Sequence, residues 1–378
     1  MAVPKIRFPE FTDDWEQRKL SDVADSVDTG KSKFDKEGSS GEYPILGSTS
    51  VIGYDDEYDY EGDFILTARV GANAGSLYRH AGKVKISDNT VFIQASQNIE
   101  FLYQLLIRFD IKRLSFGTGQ PLVKASELKR LELMMPTDME EQMRIGVYFK
   151  KLDHLITLHQ RKLDDLRLLK KSMLQKMFPK EGKDVPETRF PGFTDAWEQR
   201  KFSELYAKSS EKNDGSIGMD RNITVATMQF KDDVKVSTAE YLKTYYTFNL
   251  GDIAFEGHQS KEFRFGRFVE NDIGNGIVSH IFTVFRPITE FDLQFWKYAI
   301  NNEMLMQQIL SRSTKASTMM HDLVIDDFLN ETFLVPSLDE QKQIGACLYS
   351  LDHLITLHQR KLEDLQKLKK ALLQQMFC

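Results

Sequence analysis

The chain has 378 residues, of which 41% are hydrophobic and 28% are charged, a composition typical of a folded protein too long for one hydrophobic core. Its net charge of −6 argues mildly against a generic basic coat for nucleic acid, and its two cysteines exclude a disulfide framework and a cysteine-rich zinc module. The sequence has no apolar leader and no run of about 18 apolar residues, so we expect a cytoplasmic protein that does not bind membranes.

In chain order, the first feature is a short arm that occurs twice. The arm reads RFPEFTDDWEQRK at residues 7–19 and RFPGFTDAWEQRK at residues 189–201. A longer segment also occurs twice, ending once at Phe178 and once at Phe377, and both copies contain the identical stretch LDHLITLHQRKL. The chain is therefore an internal repeat of arm, variable body and long segment.

Each arm leads into a variable body, and the two bodies share only short fragments. Both contain β-rich runs separated by Gly, Ser and Asn, such as DFILTARV (63–70) and GIVSHIFTVFRP (276–287). Both also contain a helical pattern, FLYQLLIRFDIKRL (101–114) in the first body and FDLQFWKYAINNEMLMQQIL (291–310) in the second. We therefore predict a compact α+β domain for each body.

Each long segment is predicted to form one continuous helix, because its apolar residues recur at alternating spacings of four and three, as in a coiled-coil seam. A helix with so wide an apolar stripe needs a partner, and the nearest one is its own duplicate. An antiparallel pair about a pseudo-twofold axis is favoured over a parallel pair. The predicted seam residues are Phe149, Leu152, Ile156, Leu163, Leu166 and Met173 in the first segment and Leu348, Leu351, Ile355, Leu362, Leu365 and Leu372 in the second.

The predicted fold class is thus α+β, with two globular domains separated by a pair of long antiparallel helices. The predicted segments are the first globular domain at 1–138, the first spacer helix at 139–178, a linker at 179–187, the second globular domain at 188–337 and the second spacer helix at 338–378.

Several short motifs resemble catalytic or ligand sites but have the wrong spacing or context. GKS at Gly30 lacks the first glycine of a phosphate loop, because residue 25 is Asp. SFGTG at 115–119 is not flanked by a clear strand and helix. His154 and His159 lie about 140° apart around a helix, too far to share a metal. We predict no catalytic residue and no metal site.

The repeated frame resembles the specificity (S) subunit of type I restriction-modification enzymes over essentially the whole chain. The resemblance rests on the WEQRK arm before each body and on the Pro, Glu-Gln and Ile-Gly residues that open each long segment. These opening residues are Pro136, Glu141, Gln142, Ile145 and Gly146 in the first copy and Pro336, Glu340, Gln341, Ile344 and Gly345 in the second. The copies differ in one spacing, because Glu141 follows its proline by five residues and Glu340 by four.

In that family, each variable body is a target recognition domain that reads one half of a split DNA sequence, and the paired helices set the gap. The resemblance implies a non-catalytic subunit that binds double-stranded DNA with a bipartite target and carries two methyltransferase subunits. S-adenosylmethionine, the methyl donor for adenine, is then expected on the methyltransferase and not on this chain. Motor-nuclease subunits join the family's complex to direct cleavage of unmodified DNA.

Candidate DNA-binding residues follow from residue type, because Arg and Lys pair with guanine and Asn and Gln with adenine in the major groove. The candidates in the first body are Lys31, Lys33, Ser48, Thr49, Arg69, Asn73, Arg79, Asn89, Thr118, Gln120 and Lys124. The candidates in the second body are Arg221, Gln259, Ser260, Lys261, Arg264, Arg267, His280, Lys315 and Ser317. The stretches 116–124 and 259–268 are favoured because they combine loop-like backbone or aromatics with basic residues.

Two other function classes stay open from the residues alone. A coiled-coil scaffold would bind proteins through its bodies and touch no DNA. A stand-alone sequence-specific regulator would bind DNA without any methyltransferase. Exchange of residues 20–138 separates the first of these from a DNA reader, because only a reader would change one half of a methylation sequence.

Overall fold

The computed structural model of the protein describes residues 3–33, 40–114, 121–231, 238–317 and 320–378. The chain divides into two compact units. Unit 1 comprises Met1–Arg161 and Gln359–Cys378, and unit 2 comprises Lys162–His358. Within the described ranges, no helix combines the length and the apolarity needed to cross a membrane.

Unit 1 is a mixed α and β structure built around one large sheet. Its strands are β1 (Glu16–Lys19), β2 (Ser26–Thr29), β3 (Tyr43–Leu46), β4 (Val51–Asp55), β5 (Tyr60–Ala68), β6 (Leu77–Ile86), β7 (Thr90–Gln94) and β8 (Glu132–Met135). Its helices are α1 (Leu20–Val23), α2 (Ile99–Phe109), α3 (Ala125–Lys129) and the first part of α4 (Met139–Lys176). Six of the described strands form a sheet in the order β2-β7-β5-β6-β3-β4, antiparallel apart from the β3–β6 pair, and β1 pairs with β8.

Unit 2 repeats the class of fold with shorter strands. Its strands are β9 (Glu198–Lys201), β10 (Tyr206–Ser209), β11 (Ile223–Thr224), β12 (Gln229–Phe230), β13 (Tyr246–Phe248), β14 (Ile253–Glu256), β15 (Arg267–Glu270), β16 (Gly276–Val278), β17 (Thr283–Pro287), β18 (Thr314–Ala316), β19 (His321–Leu323) and β20 (Thr332–Val335). Its helices are the end of α4, α5 (Phe202–Leu205), α6 (Ala239–Leu242), α7 (Leu293–Ile300), α8 (Glu303–Ser313), α9 (Ile325–Asn330) and the first part of α10 (Leu338–Gln375). Four of these strands form an antiparallel sheet in the order β10-β17-β14-β15.

The helical pattern at 291–310 is two helices and not one. The side chain of Asp292 accepts a hydrogen bond from the Phe295 amide and caps α7, and the side chain of Asn302 accepts one from the Met304 amide and caps α8. Asparagine favours helix caps over helix interiors because its side chain competes for backbone hydrogen bonds. The Asn301-Asn302 pair therefore ends one helix and begins the next.

The two long segments are continuous helices of 38 residues each, α4 and α10, as predicted. In unit 1, Phe149 of α4 contacts Phe377, just past the end of α10, with ring centroids 5.7 Å apart. Farther along α4, Asp153 accepts a hydrogen bond from Lys369, which lies earlier on α10, at 2.5 Å. Residue numbers thus rise along one helix as they fall along the other, and the two segments are antiparallel.

The same order holds in unit 2. Lys170 of α4 donates a hydrogen bond to Asp352 of α10 at 2.6 Å. Just past the end of α4, Met177 lies in one buried cluster with Ile344, which lies earlier on α10 than Asp352. The antiparallel arrangement predicted from the repeat is therefore confirmed within each unit.

The seam residues predicted from the spacing face inward along both helices. Buried members are Phe149, Leu152, Leu163, Leu166, Leu348, Leu351, Leu362 and Leu365, and half-buried members are Ile156, Met173, Ile355 and Leu372. The end of each helix also contributes to a globular core. Phe377 packs on Phe101 of α2, and Phe178 packs on Phe295 of α7, both with ring centroids 5.6 Å apart.

The Glu-Gln pair that opens each long helix is buried, and its glutamate binds the arm. Arg7 donates two hydrogen bonds to Glu141, at 2.7 and 2.8 Å. Arg189 donates two to Glu340 at the same distances. Both glutamates are fully buried, so each arm is held to its helix by a charge-assisted bidentate pair. The one-residue difference in spacing from the preceding proline leaves this contact unchanged.

The glycine of the Ile-Gly pair in each long helix lies where that helix crosses another helix at close range. A Cβ atom added to Gly146 would lie 2.7 Å from the Phe101 amide nitrogen in the first turn of α2. A Cβ atom added to Gly345 would lie 2.7 Å from the Phe295 amide nitrogen in the first turn of α7. Only glycine allows backbone to approach this closely, so a larger residue would force the two helices apart.

Glu270 on β15 is buried in the interior of unit 2. It is 3% exposed, and among the described residues neither of its carboxylate oxygens has a hydrogen-bond partner. Burial raises the pKa of the Glu270 carboxyl well above its usual range, and the nearby Asp272 carboxylate adds to the shift. The folded unit therefore favours the protonated, neutral acid.

We expect Glu270→Gln to remove a pH-dependent loss of stability. Folded unit 2 keeps the Glu270 proton at pH values where the unfolded chain releases it, so the free energy of unfolding falls as pH rises above the usual glutamate pKa, by up to about 1.4 kcal/mol per pH unit. Urea unfolding measured from about pH 5 to about pH 8 should show this slope in the parent chain and a flatter one in the variant. Glu290→Gln, at an exposed glutamate of the same unit, should leave the slope unchanged. An equal slope in parent and Glu270→Gln would contradict the assignment.

Candidate nucleic-acid interface

Loops of unit 1 bring most of its predicted DNA-contacting residues to one face. The Arg69 amide donates to the Asn89 carbonyl oxygen at 2.9 Å, and the Val123 amide donates to the Arg69 carbonyl oxygen at 2.8 Å. The Ser48 hydroxyl donates to the same Asn89 oxygen at 3.3 Å, and the Asp88 amide donates to the Ser32 carbonyl oxygen at 3.1 Å. We define the unit 1 face as Lys31, Lys33, Ser48, Thr49, Arg69, Asn73, Asn89 and Lys124. Two other candidates, Thr118 and Gln120, lie outside the described residues.

The cations of the unit 1 face are available to a ligand. Lys31, Lys33 and Arg69 are exposed, and in the described parts of the chain no carboxylate forms an ion pair with them. Lys124 has a solvent-exposed ion pair with Glu127 at 3.3 Å, which costs little to break. Unpaired lysine and arginine side chains are the groups that neutralise backbone phosphates.

Arg79, another unit 1 candidate, makes its contacts inside unit 1 and is not part of the unit 1 face. It lies half-buried on β6, forms an ion pair with Glu100 and places its guanidinium over the Tyr103 ring, 4.4 Å from the centroid. These contacts hold α2 against the sheet. The Arg79 guanidinium is therefore occupied by contacts within unit 1 and is not available to DNA in this structure.

Loops of unit 2 gather a second set of candidates. Gln259, Ser260, Lys261 and Arg264 lie in the loop between β14 and β15, and the β18–β19 hairpin carries Lys315 and leads into Ser317. The hairpin is held to that loop because the His321 amide donates to the Gly257 carbonyl oxygen at 2.8 Å. The turn with His280 precedes β17, whose first residue Thr283 pairs with Phe255 near the end of β14. We define the unit 2 face as Gln259, Ser260, Lys261, Arg264, His280, Lys315 and Ser317.

Two arginines predicted for unit 2 stand apart from this set. Arg267 donates to Glu256 at 2.7 Å and to the Ala226 carbonyl oxygen at 2.9 Å, so its guanidinium is occupied within the unit. Arg221 lies over the Phe230 ring, 4.4 Å from the centroid, and beside the start of β16, whereas the His280 turn follows the end of that strand.

The two faces have the same chemistry. Each combines exposed cations with hydroxyl and amide side chains that can donate to or accept from base edges. Prediction by residue type selected only polar side chains, and it missed the exposed aliphatic residues Ile52 and Ile281 beside them. For Ile281, the available signal was a β-branched residue within a loop, in SHIF at 279–282. Among the described residues, no three His, Cys, Asp or Glu side chains are grouped to hold a metal ion.

Similarity to known proteins extends over most of the chain. A sequence profile of the family described as type I restriction modification DNA specificity domain matches residues 12–168 and 195–367. The specificity subunit of the type I restriction enzyme MjaVIII from Methanocaldococcus jannaschii is 24% identical over 332 residues, which cover 82% of this chain and 77% of that protein. The specificity subunit of the type I restriction enzyme EcoprrI from Escherichia coli is 26% identical over 115 residues, which cover 30% of this chain and 28% of that protein. The crystal structure of the type I restriction-modification S subunit from M. genitalium matches 100% of this chain and 99% of that chain with a TM-score of 0.66 and 15% identity, which shows a shared fold.

Proposed function

Because the chain belongs to the type I restriction-modification DNA specificity family, we propose that it is the DNA-recognition subunit of a type I restriction-modification complex in the cytoplasm. Residues 1–138 and 188–337 are the target recognition domains, each reading one half of a bipartite target in double-stranded DNA. The chain catalyses no reaction of its own and binds no cofactor. Methylation of adenine with S-adenosylmethionine belongs to its methyltransferase partners, and cleavage belongs to motor-nuclease subunits.

One observation carries this proposal. In each unit, backbone contacts between separate loops collect exposed cations beside amide and hydroxyl side chains on a single face, and most of these cations have no ion pair among the described residues. Phosphate contacts position a protein on DNA, and contacts to base edges specify the sequence. A face that offers both kinds of group suits a reader of a short DNA sequence, and two unlike faces suit two unlike half-sites.

The long helices supply the spacing between the half-sites in this proposal. A continuous helix of 38 residues is about 57 Å long. Half-sites about one DNA turn apart, roughly 34–36 Å, lie on the same side of the duplex. We propose that residues 139–178 and 338–378 fix the number of unspecified base pairs, with the linker at 179–187 joining the two repeats.

Exposed leucines on the two long helices support the docking of two methyltransferase subunits. Leu155 and Leu158 are 40% and 52% exposed in unit 1, and the corresponding Leu354 and Leu357 are 40% and 54% exposed in unit 2. Two copies of one partner need two equivalent surfaces, and an exposed apolar pair repeated with the same exposure is such a surface. We propose that each leucine pair binds one methyltransferase subunit.

Exchange of one target recognition domain tests the DNA-reading function. We expect replacement of residues 20–138 by the matching body of a different family member to change one half of the methylated sequence completely and to leave the other half intact. The reciprocal exchange of residues 202–337 should change only the other half. Sequencing of methylated adenines in a host that expresses the chimera with the methyltransferase gives the answer.

Two results would contradict the proposal. An unchanged methylation sequence in both chimeras would indicate bodies that bind proteins and not DNA. Tight sequence-specific DNA binding and full activity without any methyltransferase would indicate a stand-alone regulator.

A further inference from the structure

Ile281 is a large aliphatic residue that the fold leaves in solvent. Its side chain is 75% exposed, although burial of an isoleucine is one of the larger favourable contributions to folding. It follows His280 at the tip of a turn closed by a hydrogen bond from the Phe282 amide to the Ser279 carbonyl oxygen at 3.1 Å. Turn tips favour Gly, Pro, Asn, Asp and Ser, so neither turn geometry nor core packing explains this isoleucine.

The Ile281 turn belongs to the unit 2 face. It precedes β17, which begins opposite Phe255, so it projects from the end of the sheet where the β14–β15 loop also emerges. That loop carries Lys261 and Arg264, both exposed and without an ion pair in the described part of unit 2. An exposed aliphatic side chain thus lies at the same end of the sheet as a loop whose cations suit phosphates.

The chemistry of this arrangement matches one feature of DNA. In the major groove, thymine carries a C5 methyl group, which makes apolar contacts and distinguishes thymine from cytosine. A lipid surface also attracts cations and apolar groups, but stable membrane binding requires a broad apolar face. One isoleucine at a turn tip fits a single methyl group better than a membrane.

We propose that Ile281 contacts the C5 methyl group of a thymine in the half-site read by unit 2. This inference rests on the proposed DNA-reading function and adds a specific base to it. The polar residues of the face read hydrogen-bonding groups, and Ile281 reads a methyl group that has none. A half-site that contains a methylatable adenine also contains a thymine on the opposite strand. The half-site therefore offers a C5 methyl group whichever strand carries the adenine.

Unit 1 has a comparable feature on its own face. Ile52 is 37% exposed at the β3–β4 hairpin, whose turn is closed by a hydrogen bond from the Gly47 amide to the Ser50 carbonyl oxygen at 2.9 Å. Its side chain lines a surface pocket together with Lys33, Ser48, Thr49 and Asn89. An exposed isoleucine beside the polar readers therefore occurs in both units.

Deoxyuridine substitution tests the contact, because deoxyuridine differs from thymidine only by the missing C5 methyl group. The complex of the full chain with its methyltransferase is titrated with duplexes in which each thymine of the unit 2 half-site is replaced in turn. We expect one position to weaken binding of the parent complex about fivefold to tenfold. Ile281→Ala should bind the thymine duplex about fivefold to tenfold more weakly and should show no further loss at that deoxyuridine position.

The control variant is Ile288→Ala, at a residue 56% exposed whose amide donates to Leu205, past the opposite end of β17. It should keep the full deoxyuridine effect. The inference fails if no deoxyuridine position matters, or if the Ile281→Ala and deoxyuridine losses add. In either case the proposed function still stands as long as exchange of residues 202–337 changes that half-site, and it fails separately if the exchange does not.

Discussion

Arg7→Ala is expected to lower the free energy of unfolding of unit 1 by about 3–5 kcal/mol. Arg7 donates two hydrogen bonds to Glu141, at 2.7 and 2.8 Å, and the carboxylate is fully buried. Without Arg7, the remaining side-chain donor to Glu141 in the described structure is the Trp15 indole N–H, at 3.4 Å. A buried carboxylate that loses its cation keeps the full cost of desolvation.

Urea unfolding followed by hydrogen exchange and mass spectrometry separates the response of unit 1 from that of unit 2. Arg189→Ala should give a loss of the same size in unit 2, because Arg189 makes the same two bonds to Glu340. The double variant Arg7→Met with Glu141→Leu should recover most of the loss, since no unpaired charge is left behind. A loss below about 1 kcal/mol for Arg7→Ala, the size typical of exposed pairs, would show that this pair does not anchor the arm.

The long helices could be predicted from the sequence because their apolar spacing is a local signal that extends over 38 residues. The residues that bind the repeated stretch could not be predicted from local sequence patterns. Asp153 accepts hydrogen bonds from Lys369 at 2.5 Å and from Gln104 at 2.8 Å, and no local pattern relates residues that far apart in the chain. Only the internal repeat indicated which residues of the two long helices would pair with each other. An antiparallel pair needs the Asp of each copy to meet the Lys of the other copy.

Residue type located the candidate interface only in part. It selected Lys31 and Asn89, which the folded loops bring to one face, but it also selected Arg79, which the structure pairs with Glu100. Which carboxylate neutralises which arginine depends on how strands and helices meet, and a single sequence does not contain that information. The same approach missed Ile281, because an aliphatic residue in a loop has no hydrogen-bonding role to suggest a function.

Leu158→Asp is expected to reduce the complex from two methyltransferase subunits per chain to one. Leu158 and its counterpart Leu357 are 52% and 54% exposed, and each would become buried under a docked partner. Burial of a leucine side chain contributes about 1.5–3 kcal/mol, which corresponds to about tenfold to 150-fold in affinity. An aspartate at the same place adds the cost of desolvating a charge. Combining Leu158→Asp with Leu357→Asp should leave the chain without stably bound methyltransferase.

Native mass spectrometry of the purified complex counts the subunits directly. Leu168→Asp is the matched control, because Leu168 is exposed on the same helix but the equivalent residue of the other copy is Lys367, so this position is not part of a repeated surface. It should keep two methyltransferases. Retention of both subunits by Leu158→Asp would place the docking surface elsewhere. Loss of both subunits from the single variant would mean that the two sites do not bind independently, contrary to the proposal of two separate and equivalent docking surfaces.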